Sequence, residues 1–530
     1  MFKKLILSFL SGVLLFLSWP PFNFTTPLIF IAFIPLLIIE RDIIRSENGL
    51  KKLFLFSYIT FFIFNLLTTW WIYYAHIGGA VFAILCNAFF MALVLCFSTF
   101  VKKSFKWYNS LILLPIFWLG FEYLHFNWDL SWPWLSLGNV FASHPNWIQW
   151  YSYAGVSGGT LWVLIVNLII FRLYEFRTQR AQMLNYSMLL LFSFLIPFTL
   201  SYIVLQKYQN MNSVSTMNLM IVQPNIDPYS EKFTIDQSDQ TSSAIDMINN
   251  NIEYDTELIV LPETFLSAPI WEHRFSDNLD VKIFNNLLLK YPNLNILFGA
   301  STLSYVDKSP SAKRSHNHAN QWYEVYNSAI LFNLKTLDIY HKSKLVPGAE
   351  QLPFNNILHP LIGDIILDIG NSNSVGSFGS QDSVSVFTSF KNIKIAPVIC
   401  YESIYPDYVR QFTFKGAQII FIITNDGWWK ETSGYQQHNM YAQLRAIESR
   451  RYIARAANTG ISSIINHLGK IETSLGWNQR GVIKFKIPLF NEKTFYVIHG
   501  DYLGRISAFI SVLLGVVLLI KFMMPSSNRE

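Results

Sequence analysis

Cys400 ends an apolar run, Lys394-Ile395-Ala396-Pro397-Val398-Ile399, that reads as a buried strand. A cysteine at the exit of such a strand, ahead of a turn, can be held in a sharp elbow within reach of a substrate. The other two cysteines, Cys86 and Cys96, lie in apolar segments, so a structural disulfide is not the expected role of this thiol. Two more stretches put a charged residue at or near a strand end. One is Leu258-Ile259-Val260-Leu261-Pro262-Glu263; the other runs from Tyr340 to Glu350 and carries Lys342 and Lys344. Strand ends on one edge of an α/β sheet converge on a common crevice. There a carboxylate can take the proton of a thiol, and a lysine can stabilise the oxyanion formed when the thiolate attacks a carbonyl. Each residue alone has a plainer reading: Cys400 as a small buried hydrophobe, Glu263 as a helix cap, Lys342 as a solvated loop charge. Together they describe a nucleophilic site.

The elements that must position them fall in the segment from about Ser215 to Gly500, which has ordinary polar content. Strands are expected at Asn218–Val222, Glu257–Leu261, Asn295–Ala300, Ser328–Phe332, Lys394–Cys400, Gln418–Thr424 and Ile461–Ile465. Helical patterns between them indicate an α/β domain. Gly370–Ser385, rich in Ser, Asn and Gly, is expected as a surface loop.

The remainder is a different material. Over the whole 530 residues, 52% are hydrophobic and only 14% charged, against a globular norm of about 25% charged. Eight apolar stretches are expected to cross a membrane: Leu5–Leu17, Leu28–Ile39, Leu53–Ala75, Gly79–Val101, Leu111–Phe126, Gly158–Tyr174, Met188–Leu205 and Ile506–Phe522. The tryptophan-dense loop Asn127–Tyr153 suits the headgroup layer. The net charge of +6 does not indicate nucleic acid, because the basic residues sit at the ends of apolar runs. With all eight stretches crossing, Lys3/Lys4, Arg41–Lys52, Lys102–Lys106, Arg172–Arg180 and Lys521 share one side. By the positive-inside rule that side is the cytoplasm, and the α/β domain faces the exterior or periplasm. The expected division is 1–210 with seven spans, 216–500 as the soluble domain, and 504–524 as the eighth helix.

Leu-Pro-Glu263, then Lys342 with Leu-Val-Pro and Glu350 eight residues after it, then Cys400-Tyr401-Glu402, resembles the nitrilase superfamily with its Glu-Lys-Cys triad. Seven apolar stretches before the domain and one after it are similar to the apolipoprotein N-acyltransferase family. Val222-Gln223-Pro224-Asn225-Ile226, Asn425-Asp426-Gly427-Trp428-Trp429, Arg455–Ser462, Thr494-Phe495-Tyr496 with Gly500-Asp501, and Trp132-Pro133-Trp134-Leu135 look like that family too. Pro347-Gly348-Ala349-Glu350 departs from its usual Pro-Phe-Gly-Glu.

The resemblance implies an αββα nitrilase-like domain joined to a polytopic helical membrane domain. It implies Glu263 as base and then acid, Lys342 at the oxyanion and Cys400 as nucleophile, with Glu350, Tyr401 and Glu402 in support. It further implies an acyl chain taken from a phospholipid onto Cys400 and passed to the amino terminus of a diacylglyceryl lipoprotein, at the bacterial inner membrane with the domain in the periplasm. Phospholipid, lipoprotein and membrane lipids are the expected partners; no cofactor, metal or nucleic acid is expected. A membrane-tethered amidase and a non-catalytic binding protein are the competing readings. The first needs only one span, and the second is opposed by an intact Glu263, Lys342 and Cys400.

Three other signals carry less. Gly155-Val156-Ser157-Gly158-Gly159 matches the serine-hydrolase elbow but lacks a preceding strand. His316 and His318 have no third ligand partner in view. Glu122, inside an apolar stretch, is a functional candidate by position, or it reaches the interface at the outer end.

Overall fold

A computed structural model of the chain describes residues 1–307, 316–318, 321–351, 354 and 378–524. The chain divides into two units: Met1–Tyr73, Ala80–Tyr208 and the segment from His499 form one, and Tyr74–Gly79 with Gln209–Ile498 the other.

Every apolar stretch of the first unit carries helix, but not every helix is long. Gly49–Thr69, Ile77–Ser104, Tyr151–Glu175, Arg180–Gln209 and Tyr502–Met523 are long and apolar enough to cross a membrane. Phe2–Ser18, Ile34–Ile43 and Leu113–His125 have 17, 10 and 13 residues. The hydrocarbon core asks for about 20, so the eight expected crossings are not eight full-length helices. Proline is the local cause for the first two. Pro20 and Pro21 follow the first helix, and Pro27 and Pro35 split the second stretch into a 3-10 turn and a short helix.

Three details in this unit differ from expectation. Glu122 does not reach an interface. Its buried carboxylate accepts from the Leu137 backbone N–H at 2.9 Å, Thr160 Oγ1 at 2.7 Å and Trp118 Nε1 at 3.2 Å, tying the aromatic loop to two helices. Within that loop Trp134 is fully buried, with the Trp132 and Trp71 rings 5.7 and 4.9 Å away, so it packs as core. Lys102, counted above among the orienting charges, is buried against Glu40 at 2.9 Å. Ser157 lies buried within the helix Tyr151–Glu175 and has no strand before it.

The second unit contains two sheets. Its strands are β1 (Ser215–Gln223), β2 (Leu258–Val260), β3 (Leu266–Trp271), β4 (Asn295–Val306), β5 (His316–His318), β6 (Gln321–Phe332), β7 (Leu337–His341), β8 (Phe387–Thr388), β9 (Lys394–Ile399), β10 (Ile419–Thr424), β11 (Ile453–Ala457), β12 (Ser462–Ile465), β13 (Ile471–Leu475) and β14 (Gly481–Leu489). The first sheet runs β14-β1-β2-β4-β6-β5, with β3 on β4 and β7 on β6; the second runs β13-β12-β11-β10-β9-β8. β1, β2 and β4 are mutually parallel, as are β9, β10 and β11. Their central segments, such as 219–222, Leu258–Val260 and 419–423, are apolar because both their faces are covered. Helices Gln237–Asn249 and Leu279–Lys290 close the outer face of the first sheet through Ala244, Ile248, Phe284 and Leu288. Helices Pro406–Phe414 and Ser433–Ser449 close that of the second, and the inner faces meet where β1 packs on β11 and β6 on β9. The order is helix, sheet, sheet, helix.

All seven expected strands are present. Those not anticipated include β7 and β11, whose sequences Leu-Asp-Ile-Tyr-His and Ile-Ala-Arg-Ala-Ala lack a clean alternation. Of the expected surface loop at 370–385, residues 370–377 lie outside the described residues, and Gly379 donates its N–H to the Val325 carbonyl at 2.8 Å.

Candidate active site

Three strand ends supply the site. β2 delivers Glu263 through a turn in which Thr264 takes φ +46°. β4 passes directly behind: a Cβ at Gly299 would lie 2.4 Å from the Thr264 nitrogen and 2.6 Å from the Glu263 Cα, so only glycine allows this approach. β7 delivers Lys342, whose N–H donates to the Asn327 carbonyl at 2.8 Å. β9 delivers Cys400, the first residue of a 3-10 turn, also at φ +46°. A non-glycine residue in this left-handed region costs on the order of 1–3 kcal/mol, a strain that surrounding structure must hold in place.

The structure brings Glu263, Lys342 and Glu350 into contact. Lys342 Nζ donates to Glu263 Oε1 at 3.1 Å and to Glu350 Oε1 at 2.9 Å. Asn327 Nδ2 donates to the same two oxygens at 2.8 and 3.1 Å. Glu263 Oε2 accepts the Asn425 N–H at 3.1 Å. The Pro347-Gly348-Ala349 turn, with Gly348 at φ +82°, still returns Glu350 to the lysine: its Oε2 accepts the Val346 N–H at 2.8 Å. Lys344 points elsewhere, over the Tyr405 and Tyr408 rings.

Charge states follow from this arrangement. Burial pushes the Glu263 carboxyl up, but the Lys342 charge and the Asn327 and Lys342 hydrogen bonds outweigh it and hold the group below the usual carboxylate range. Burial pulls the Lys342 ammonium down, and the Glu263 and Glu350 charges more than reverse that. Cys400, 8% exposed, is pushed well above an ordinary thiol, first by burial and then by the Glu263 charge, with Lys342 opposing. The resting site is therefore an ionised carboxylate, an ammonium and a neutral thiol: a base, a cation and a nucleophile awaiting deprotonation.

Glu402 stands apart from this group. Its Oε1 accepts from the Tyr340 hydroxyl at 2.5 Å and the Ser343 N–H at 2.7 Å, and its Oε2 from the Ile399 N–H at 2.9 Å. It fastens the cysteine turn to the lysine loop. Tyr401 is buried, its ring 5.3 Å from that of Tyr405.

Several residues of the site carry no role in the sequence reading. Asn327, in mid-β6, is legible only once β6 lies beside the strand ends. Lys232 is buried, with its ammonium 2.5 Å from Thr264 Oγ1; burial lowers it to about 8, against the Glu263 charge. Asp426, His438 and Arg455 form a fully buried cluster behind Cys400. Asp426 and Arg455 fall in stretches noted for their family likeness, which was the available signal; His438 had none. Among the described residues no group of three or more His, Cys, Asp and Glu could hold a metal ion. Of His316 and His318 only the backbone is described.

Comparison with known proteins gives two domain matches. Residues 11–169 match the apolipoprotein N-acyltransferase N-terminal domain, and residues 219–491, more than half of the chain, match the carbon-nitrogen hydrolases. An apolipoprotein N-acyltransferase of Chlorobaculum tepidum is 27% identical over 98% of this chain and 97% of that protein. That of Rickettsia prowazekii is 28% identical over 81% and 80%, and that of Thermotoga maritima 24% over 96% and 92%. Among solved structures, an amidase from Nesterenkonia sp. is 16% identical, covering 56% of this chain and 97% of its own, at a TM-score of 0.37. Saccharomyces cerevisiae Nit3, of the nitrilase superfamily, is 17% identical over 55% and 95%, at 0.35.

Proposed function

The chain belongs to the carbon-nitrogen hydrolase family, among its apolipoprotein N-acyltransferases, and on that premise we propose that Glu263, Lys342 and Cys400 carry the acyl transfer. The observation that bears most weight is the ammonium of Lys342. It is buried, shared between Glu263 and Glu350, and close enough in charge to oppose the rise of the Cys400 thiol.

In the first half-reaction Glu263 takes the thiol proton as Cys400 Sγ attacks an ester carbonyl of a phospholipid. Lys342 stabilises the tetrahedral oxyanion. Collapse breaks the ester C–O bond, Glu263 returns the proton to the leaving alkoxide, and a lyso-phospholipid departs from the thioester. In the second, the free α-amine at a diacylglyceryl-cysteine terminus attacks the thioester and gives up a proton to Glu263. The thiolate leaves and is reprotonated, and the product is an N-acylated lipoprotein. Glu350 keeps the lysine in place while Glu263 cycles between its two forms. The cationic segments at the ends of the apolar helices support the orientation with this unit in the periplasm and the helices in the bacterial inner membrane.

The test is mass spectrometry of protein incubated with phosphatidylethanolamine alone. An acyl adduct on Cys400 and one equivalent of lyso-lipid are expected, with turnover starting only when a diacylglyceryl-cysteine peptide with a free amine is added. Cys400→Ala and Glu263→Gln should abolish the adduct. Steady release of free fatty acid, indifferent to the peptide, would favour hydrolysis and defeat this reading.

A further inference from the structure

Behind Cys400 lies a buried cluster that the transfer chemistry does not use. β10 runs parallel to β9, with Ile423 opposite Ile399, so the residues after each strand end side by side. Just past β10, Asp426 accepts from Thr424 Oγ1 at 2.8 Å and pairs with the Arg455 guanidinium, which reaches it from β11. His438, from the helix Ser433–Ser449, inserts its ring between this ion pair and the cysteine turn. Its Nδ1 is 2.9 Å from Asp426 Oδ1 and 2.9 Å from Arg455 Nη2. Its Nε2 is 3.2 Å from the Cys400 carbonyl oxygen and 2.8 Å from Ser403 Oγ. All three side chains are fully buried.

Arg455 Nη2 can only donate, so Nδ1 accepts from it, and a carbonyl can only accept. The imidazole therefore carries its proton on Nε2, towards Cys400, and Asp426 holds the ring through its pairing with Arg455. Ser403 Oγ donates to the same carbonyl at 2.7 Å. The peptide group leaving Cys400 is thus held by two side chains, Ser403 and His438. This matters because Cys400 sits at φ +46°, from which an unrestrained residue relaxes. The turn that anchors His438 also holds the base: Asn425, one residue before Asp426, donates its N–H to Glu263 Oε2. One strand end therefore fixes both the base and, through His438, the nucleophile.

We propose that His438 is a positioning residue for acylation: held at Nδ1 by Arg455, which Asp426 fixes in place, it donates Nε2–H to the Cys400 carbonyl and keeps the strained nucleophile turn aimed at the acyl carbon. The proposal rests on Cys400 being the nucleophile. Misplacing a reacting atom by about 1 Å can cost on the order of 100-fold in rate, so a defect should appear in the acylation step rather than in lipid binding.

The experiment is single-turnover release of lyso-phosphatidylethanolamine by the full-length protein, with the adduct located by mass spectrometry. His438→Phe, which keeps a ring but no donor, should slow thioester formation by about 10- to 100-fold with little change in the lipid concentration for half-maximal rate. His438→Gln, whose amide nitrogen reaches about as far as Nε2, should recover most of that rate; His438→Asn, one methylene shorter, should not. The Gln and Asn pair stands by itself should His438→Phe fail to fold. Equal single-turnover rates for the Gln and Asn variants, or a wild-type rate in His438→Phe, would overturn the proposal. An adduct on a residue other than Cys400 would instead remove the reading beneath it.

Discussion

Glu402 Oε1 accepts the backbone N–H of Ser343 across 2.7 Å, so the turn that carries the nucleophile is tied to the loop that carries the lysine. The two segments are 59 residues apart in the chain. Their registry is fixed by this carboxylate and by the Tyr340 hydroxyl beside it, not by anything local to either.

The first expectation follows from that tie. Burial raises the Glu402 carboxyl to about 7, against hydrogen bonds from Tyr340 and the Ile399 and Ser343 amides. A raised carboxyl binds its proton more tightly folded than unfolded, so this group's contribution to stability falls as pH rises from about 4.5 to 7. Glu402→Gln should flatten that part of the Tm-against-pH curve. It also sets an NH2 group against backbone N–H donors, for a loss of about 1–3 kcal/mol, and should reduce the lyso-lipid burst. A variant with wild-type Tm and burst would show that the tie does nothing.

Asn327 Nδ2 is shared between Glu263 and Glu350, two carboxylates served by one lysine. Asn327→Asp would place a third negative group there, and an uncompensated buried charge costs about 3–5 kcal/mol. A lower Tm and loss of the acyl adduct are expected. Asn327→Ala should be milder, at about 1–3 kcal/mol. Equal effects from the two substitutions would mean that the amide is not needed between the carboxylates.

The thiol should report its neighbours with opposite signs. Beyond burial, Glu263 raises the Cys400 thiol and Lys342 lowers it. The pH dependence of iodoacetamide alkylation should therefore move down in Glu263→Gln and up in Lys342→Met, although both variants lose acyl transfer. Movement in one common direction would contradict the arrangement of charges.

Orientation can be read with reporter fusions. Fusions after Lys106 and Arg180 should report the cytoplasm, and fusions near Asn139 and after Asn251 the other side of the membrane. A cytoplasmic signal after Asn251 would reverse the orientation and remove the lipoprotein substrate.

What the sequence determined by itself is what local pattern can encode. Runs such as Ile419–Thr424 are apolar on both faces and short, so they read as buried strands wherever they end up. Glu263 and Cys400 each stand at the close of such a run or just past it, and that position needs no partner to be noticed; Lys342 follows the mixed stretch Leu337–His341. The first two apolar stretches gave helices shorter than a bilayer because proline acts on backbone geometry, while apolar length registers only composition.

Tertiary structure decided the rest, because it turns on pairings across long separations. Lys342 and Lys344 are alike as charges, and only the seating of the loop puts one on Glu263 and the other over Tyr405. Glu350 and Glu402 are alike as carboxylates, yet one shares the lysine and the other braces the backbone. His438 lies in a helix with no local mark of function. Its meaning comes from β9, β10 and β11 ending side by side, which brings Cys400, Asp426 and Arg455 around one imidazole.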